Sequence, residues 1–153
     1  MRLEQTKCVI FDCDGTLIDS EKLCCQALVN VFEQFNVSLS LEDCYAHFQG
    51  GKLADILMDT QQRLGLSISI DTLEPLYRTE LEALFQRFLK PMNGAIELIQ
   101  FLKSQGVEFC IASNAPKERV ESSLAMTGML DDFKGKIFSA FDANSWKPEP
   151  DLI

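Results

Sequence analysis

Apolar residues near the start of the chain form one short run, Cys8-Val9-Ile10-Phe11, cut off at once by Asp12. A run this brief, bounded by polar residues, predicts a buried parallel strand over 6–11. The period then changes. From Glu21 to Phe35 the apolar positions Cys24, Leu28, Val31 and Phe35 recur at helical spacing. Two more helices are predicted over 41–48 and 52–64, the second ending at Gly65. Asp71 and Glu74 have the spacing of a capping box, opening a helix to about Leu89 with the stripe Leu73, Tyr77, Leu81, Leu84 and Phe88. Pro75 is tolerated there because it falls near the helix start. Lys90-Pro91-Met92-Asn93-Gly94 breaks the pattern. Asn93 then caps a helix with Ala95, Leu98, Ile99 and Leu102 inward, stopped by Gly106. A second strand is predicted over 107–112 and a third over about 136–141. Between them lies a helix with Pro116 in its first turn, closed by Gly128. Strand-helix-strand units around a block of four helices predict an α/β fold. A parallel core over 1–17 and 91–153 is expected to carry an inserted helical domain over 18–90.

Each of the three strand runs ends in polar chemistry, where open α/β sheets place their ligands. The first ends in Asp12-Cys13-Asp14-Gly15-Thr16. Carboxylates at i and i+2 share a face, and the glycine lets the backbone turn sharply. Two close carboxylates repel, so a cation or a shared proton must compensate. Mg²⁺ can do this, since it takes carboxylates together with substrate phosphate. Taken alone, Asp12 and Asp14 also fit an Asp-Gly turn after an edge strand. Ser113-Asn114 after the second run and Lys147-Pro148 after the third favour a site.

Composition narrows the classes. Hydrophobic residues make up 46% of 153, enough for a folded core. The formal charge of −9 argues against nucleic acid, which needs a basic face. It also means that an anionic substrate must be attracted locally. No apolar run reaches membrane-spanning length and no signal-peptide core is visible, so no membrane role is expected. None of the six cysteines forms a C-x-x-C pair, which suits reduced core residues of a cytoplasmic protein. Cys13 is expected to face the core, opposite the aspartates. His47 is the one histidine, so catalysis is pushed toward carboxylates and away from a Ser-His or Cys-His machine.

These residues resemble the haloacid dehalogenase superfamily. Asp12-Cys13-Asp14-Gly15-Thr16 matches its first motif, Ser113 its second and Lys147-Pro148 its third. The helical insert resembles the family's α-helical cap, in the branch of phosphoglycolate phosphatase and β-phosphoglucomutase. Phe11 to Glu21, Phe48 to Leu53 and Trp146 to Pro150 look most like bacterial 6-phosphogluconate phosphatases. The resemblance implies a Rossmann-like core and a Mg²⁺-dependent phosphatase of small phosphorylated metabolites, sugar phosphates such as 6-phosphogluconate. It implies Asp12 as nucleophile, passing through an aspartyl-phosphate, and Asp14 as proton donor and acceptor. Asp12 and Asp14, the latter through its backbone carbonyl, are the implied metal ligands. Thr16, Ser113, Asn114 and Lys147 are the implied phosphate-binding residues. Lys52, beside Gly50-Gly51, falls in the cap segment that relatives use for substrate choice; an exposed Lys at a helix start fits equally. A phosphomutase shares every one of these motifs.

The family's fourth motif, acidic residues after a further strand, has no match before Ile153. The expectation is therefore a core truncated at its C-terminus, the first part of a longer enzyme, weak or inactive by itself. In the family, strand one lies inside the sheet. Here it is expected to be an exposed edge through which the chain self-associates.

Overall fold

The computed structural model describes residues 6–153. In chain order the elements are β1 (Cys8–Phe11), α1 (Glu21–Glu33), α2 (Leu41–His47), α3 (Leu53–Arg63), α4 (Ile70–Phe88) and α5 (Ala95–Ser104). They continue with β2 (Glu108–Ser113), α6 (Lys117–Met126), α7 (Leu130–Phe133), β3 (Ile137–Ser139), α8 (Ala140–Ala143) and a 3-10 turn at Pro150–Leu152. The described residues fall into two compact units: one runs to Asp19 and resumes at Leu89–Ile153, the other is Ser20–Phe88.

The first unit is an α/β layer of the Rossmann-like kind. Its three strands are parallel in the order β1-β2-β3, with Phe11 opposite Ile111 and Ile111 opposite Ile137. Both crossovers advance in the same direction, so right-handed connections put α5, α6 and α7 on one face. That face carries Phe11, Phe109, Ile111 and Ile137, all buried. Phe133 of α7 meets the rings of Phe11 and Phe109 edge to face. The alternate residues Cys8, Ile10 and Phe138 lie on the opposite face, where Ile10 is 45% and Phe138 51% exposed. β1 is an edge strand of this sheet.

In the helical unit α1 packs on α2 and α4, and α3 packs on α4. Across the α1–α4 seam Asn30 Nδ2 donates to Glu80 Oε1 at 2.6 Å, and the buried Tyr77 hydroxyl donates to the Cys24 carbonyl at 3.5 Å.

Local details differ from the expectations. α4 buries Leu73, Tyr77, Leu81 and Phe85, a strict four-residue spacing; Leu84 is half-buried and Phe88 exposed. The Asp71–Glu74 box does not form. The first helical bonds go to the carbonyl of Ser69, and Glu74 pairs with Arg78 one turn on, at 2.6 Å. Asn93 does not cap α5. Gly94 takes that position at φ 83°, a backbone that only glycine adopts without strain. The third strand stops at Ser139, whose hydroxyl accepts from the N–H of Phe141 and caps α8, so Phe141 is helical.

Candidate active site

At Phe11 the chain leaves the sheet and folds into a tight loop. The carbonyl of Cys13 accepts from the N–H groups of Thr16, Leu17 and Ile18 at 3.3, 2.9 and 3.2 Å. Gly15 turns back at φ 71° and donates to the carbonyl of Ile18 at 2.9 Å. Leu17 and Ile18 are buried and anchor the loop, Ile18 pairing with Pro91 and Leu17 accepting from the N–H of Met92. The loop thus sends Cys13 into the core at 1% exposure and leaves the side chains of Asp12 and Asp14 partly open. Thr16 is exposed.

Burial pushes the Cys13 thiol well above its ordinary value, and the nearby Asp14 and Asp12 charges add to the shift. A thiol held protonated and covered is no nucleophile. Iodoacetamide on the native chain is accordingly expected to leave Cys13 unmodified while alkylating the exposed Cys8, as peptide mass spectrometry would show.

The second strand end brings Ser113, which is buried. Its Oγ accepts from the N–H of Ala115 at 3.1 Å. Ser139 Oγ donates to the carbonyl of Ala115 at 2.7 Å, tying the loop after β2 to the end of β3. Asn114 clamps the third element. Its Nδ2 donates to the Lys147 carbonyl at 3.2 Å and its Oδ1 accepts from the Lys147 N–H at 2.8 Å. The side-chain amide of Asn114 thus holds Lys147 in place. From this clamp Lys147 Nζ reaches Asp12 Oδ1 at 2.8 Å and the Ala112 carbonyl at 2.9 Å, bridging the ends of β1 and β2.

A residue absent from the sequence expectation completes the group. Arg119, in the first turn of α6, grips Asp14 with both terminal nitrogens: Nη1 to Oδ2 at 2.7 Å and Nη2 to Oδ1 at 2.8 Å. Its position in the first turn of α6 opposes the helix dipole, but nothing local in the sequence names Asp14 as its partner. Each carboxylate therefore faces its own cation, which relieves the repulsion between them.

Lys52 belongs to the helical unit, exposed at the N-cap of α3 after Gly50 and Gly51, both at positive φ. His47 is exposed on α2 and bonds the carbonyl of Asp43 through Nδ1 at 2.9 Å. It takes no part in the strand-end group. Among the described residues no cluster of three or more His, Cys, Asp or Glu forms a protein-only metal cage. The oxygen donors of Asp12 and of the Asp14 backbone nevertheless suit Mg²⁺, which needs only one or two carboxylates and fills its shell with water and phosphate oxygens. No helix among the described residues is long and apolar enough to cross a membrane.

Carboxylates held at the carboxyl end of a parallel sheet, each against its own cation, equip an α/β enzyme for handling anions. The sequence profile of the family described as "Haloacid dehalogenase-like hydrolase" matches residues 9–153, and the chain belongs to that family. It is 34% identical over 151 residues to 6-phosphogluconate phosphatase of Escherichia coli, covering 99% of this chain and 67% of that protein. A haloacid dehalogenase-like protein of unknown function from Agrobacterium tumefaciens superposes with a TM-score of 0.76 at 27% identity, over 96% of this chain and 65% of that one. A family hydrolase from Deinococcus radiodurans, solved with bound phosphate and sodium, superposes at 0.73 and 26% identity over 96% and 64%. The chain thus spans 67%, 65% and 64% of these three relatives, which leaves a third of each unmatched.

Proposed function

We propose that this chain carries the phosphoryl-transfer centre of a phosphatase acting on small phosphorylated metabolites, of the sugar-phosphate class that includes 6-phosphogluconate. The contact that carries the reading is Lys147 Nζ on Asp12 Oδ1 at 2.8 Å, a fixed cation beside a carboxylate at a strand end. Such a cation meets the charge of an incoming phosphate where the carboxylate must attack it. In this reading Asp12 attacks phosphorus and the ester P–O bond breaks. Asp14 gives a proton to the leaving oxygen, then takes one from the water that hydrolyses the aspartyl-phosphate, so inorganic phosphate leaves and Asp12 is regenerated. Ser113 hydrogen-bonds a phosphate oxygen, Thr16 and the backbone N–H groups of the two loops bind others, and Asn114 serves by holding Lys147. Lys52 takes the role of substrate choice. Mg²⁺ would be held by Asp12 and the Asp14 carbonyl and would supply positive charge that lets two anions approach.

A panel of phosphomonoesters incubated with the chain tests the reading through released phosphate. Release is expected with Mg²⁺, to fall to background with excess EDTA, and to return when Mg²⁺ is restored. Release that ignores EDTA would remove the metal from the scheme. Release by this chain is expected to be slow; no release from any ester, with this chain and with a longer one that carries the fourth acidic motif, would remove the phosphatase.

A further inference from the structure

We propose that Arg119 is a positioning residue of this reaction, acting through Asp14; the assignment rests on the phosphatase reading above. Asp14 lies in a loop, with its side chain 32% exposed, and by itself its carboxylate would rotate freely. The guanidinium fork removes that freedom, because two parallel N–H···O bonds from one planar group fix both oxygens at once.

The support behind Arg119 is rigid. On the same helix Val120, Ser123 and Leu124 are buried. The carbonyl of Arg119 accepts from Ser123 Oγ at 2.8 Å. The aim of Asp14 is therefore set by the helix after β2, whereas Asp12 is held by the loop after β3 through Lys147. Nucleophile and proton carrier are oriented by separate elements. An exposed ion pair would carry little weight. This one differs, because its arginine is three-quarters covered and opposes its own helix dipole, so Asp14 is what makes the position tolerable.

A group that orients the proton donor matters in proportion to how badly the leaving oxygen needs its proton. A sugar alkoxide needs it; p-nitrophenolate leaves without it. In the full chain with Mg²⁺, Arg119→Met is expected to lower kcat on a sugar phosphate by about 10- to 100-fold, part of the roughly 10²- to 10⁴-fold that general acid catalysis contributes. KM should change little, and the loss on p-nitrophenyl phosphate should stay below about 3-fold, that step needing no acid. Arg119→Lys, one charge without the fork, should recover part of the loss. In an Asp14→Asn background Arg119→Met should cost nothing further.

Equal losses on both esters, or a further loss in the Asp14→Asn background, would overturn the assignment while leaving the phosphatase standing. Should Arg119→Met fail to fold by circular dichroism, the same comparison of the two esters with Arg119→Lys decides. No turnover by the wild-type chain, and none by a longer one that carries the fourth acidic motif, would overturn the phosphatase reading and this assignment with it.

Discussion

Asp12→Asn is expected to abolish phosphate release while leaving the protein folded. The substitution keeps the size and shape of the side chain and replaces an anionic oxygen with a neutral amide, which is a poor nucleophile. Lys147 Nζ can still bond the amide oxygen, and its second partner, the carbonyl of Ala112 at 2.9 Å, is untouched. The Lys147 and Asp12 side chains are 28% and 45% exposed, so loss of the charge pair costs less than about 1 kcal/mol of stability. The kinetic cost is of another order. Losing the nucleophile of a group that works as a unit lowers kcat by about 10⁴-fold or more. Phosphate release measured beside a thermal melt separates the two quantities. An active Asp12→Asn enzyme would move the nucleophile elsewhere, and a lowered melting point with lost activity would point to a structural role.

Much of this site was readable before any coordinates. Two carboxylates at the end of an apolar run mark the strand end, and Cys13 between them is buried as expected, although the loop after Phe11 and not strand alternation places it. The apolar runs likewise mark β1, β2 and β3, but β1 is not the buried strand expected: as an edge strand it buries only Phe11 of its four residues.

What escaped the sequence depends on partners distant in the chain. Arg119 finds Asp14 across 105 residues, and no local pattern encodes that pair. The Asn114 side chain meets the Lys147 backbone across 33 residues, a clamp that no local pattern encodes. In α4 the apolar set allows either Leu84 or Phe85 on the inner face, and packing against α1 selects Phe85. Asn93 lost the cap of α5 because the chain enters that helix in a left-handed turn that Gly94, not Asn93, supplies. The acceptor of the phosphoryl group is equally hidden: water and a sugar hydroxyl call for the same carboxylates and lysine.

The site stands on an aromatic cluster, and Phe133→Ala is expected to cause the largest loss of stability. Phe133 is fully buried in a helix of four residues, too short to hold itself by backbone bonds, so α7 stays in place by packing. Its ring meets Phe11 at 6.2 Å and 88° and Phe109 at 5.2 Å and 73°, while Phe11 and Phe109 meet each other at 6.5 Å and 72°. All three contacts are edge to face, the favoured arrangement for aromatic pairs. Truncation leaves a cavity that the two neighbouring rings cannot fill, at a cost of about 3–5 kcal/mol. Set against a total of about 5–15 kcal/mol, this is a large fraction. For a chain of this size the melting point should fall by about 10 °C. Phe138→Ala is the control: that ring is half-exposed on the opposite face of the sheet and should cost within about 0.5 kcal/mol. Because Phe11 is the residue before Asp12, the same variant should also loosen the nucleophile, lowering phosphate release well below the melting point. Equal melting points for the two variants would show that the cluster does not anchor the strand end, and that Asp12 is positioned by its loop alone.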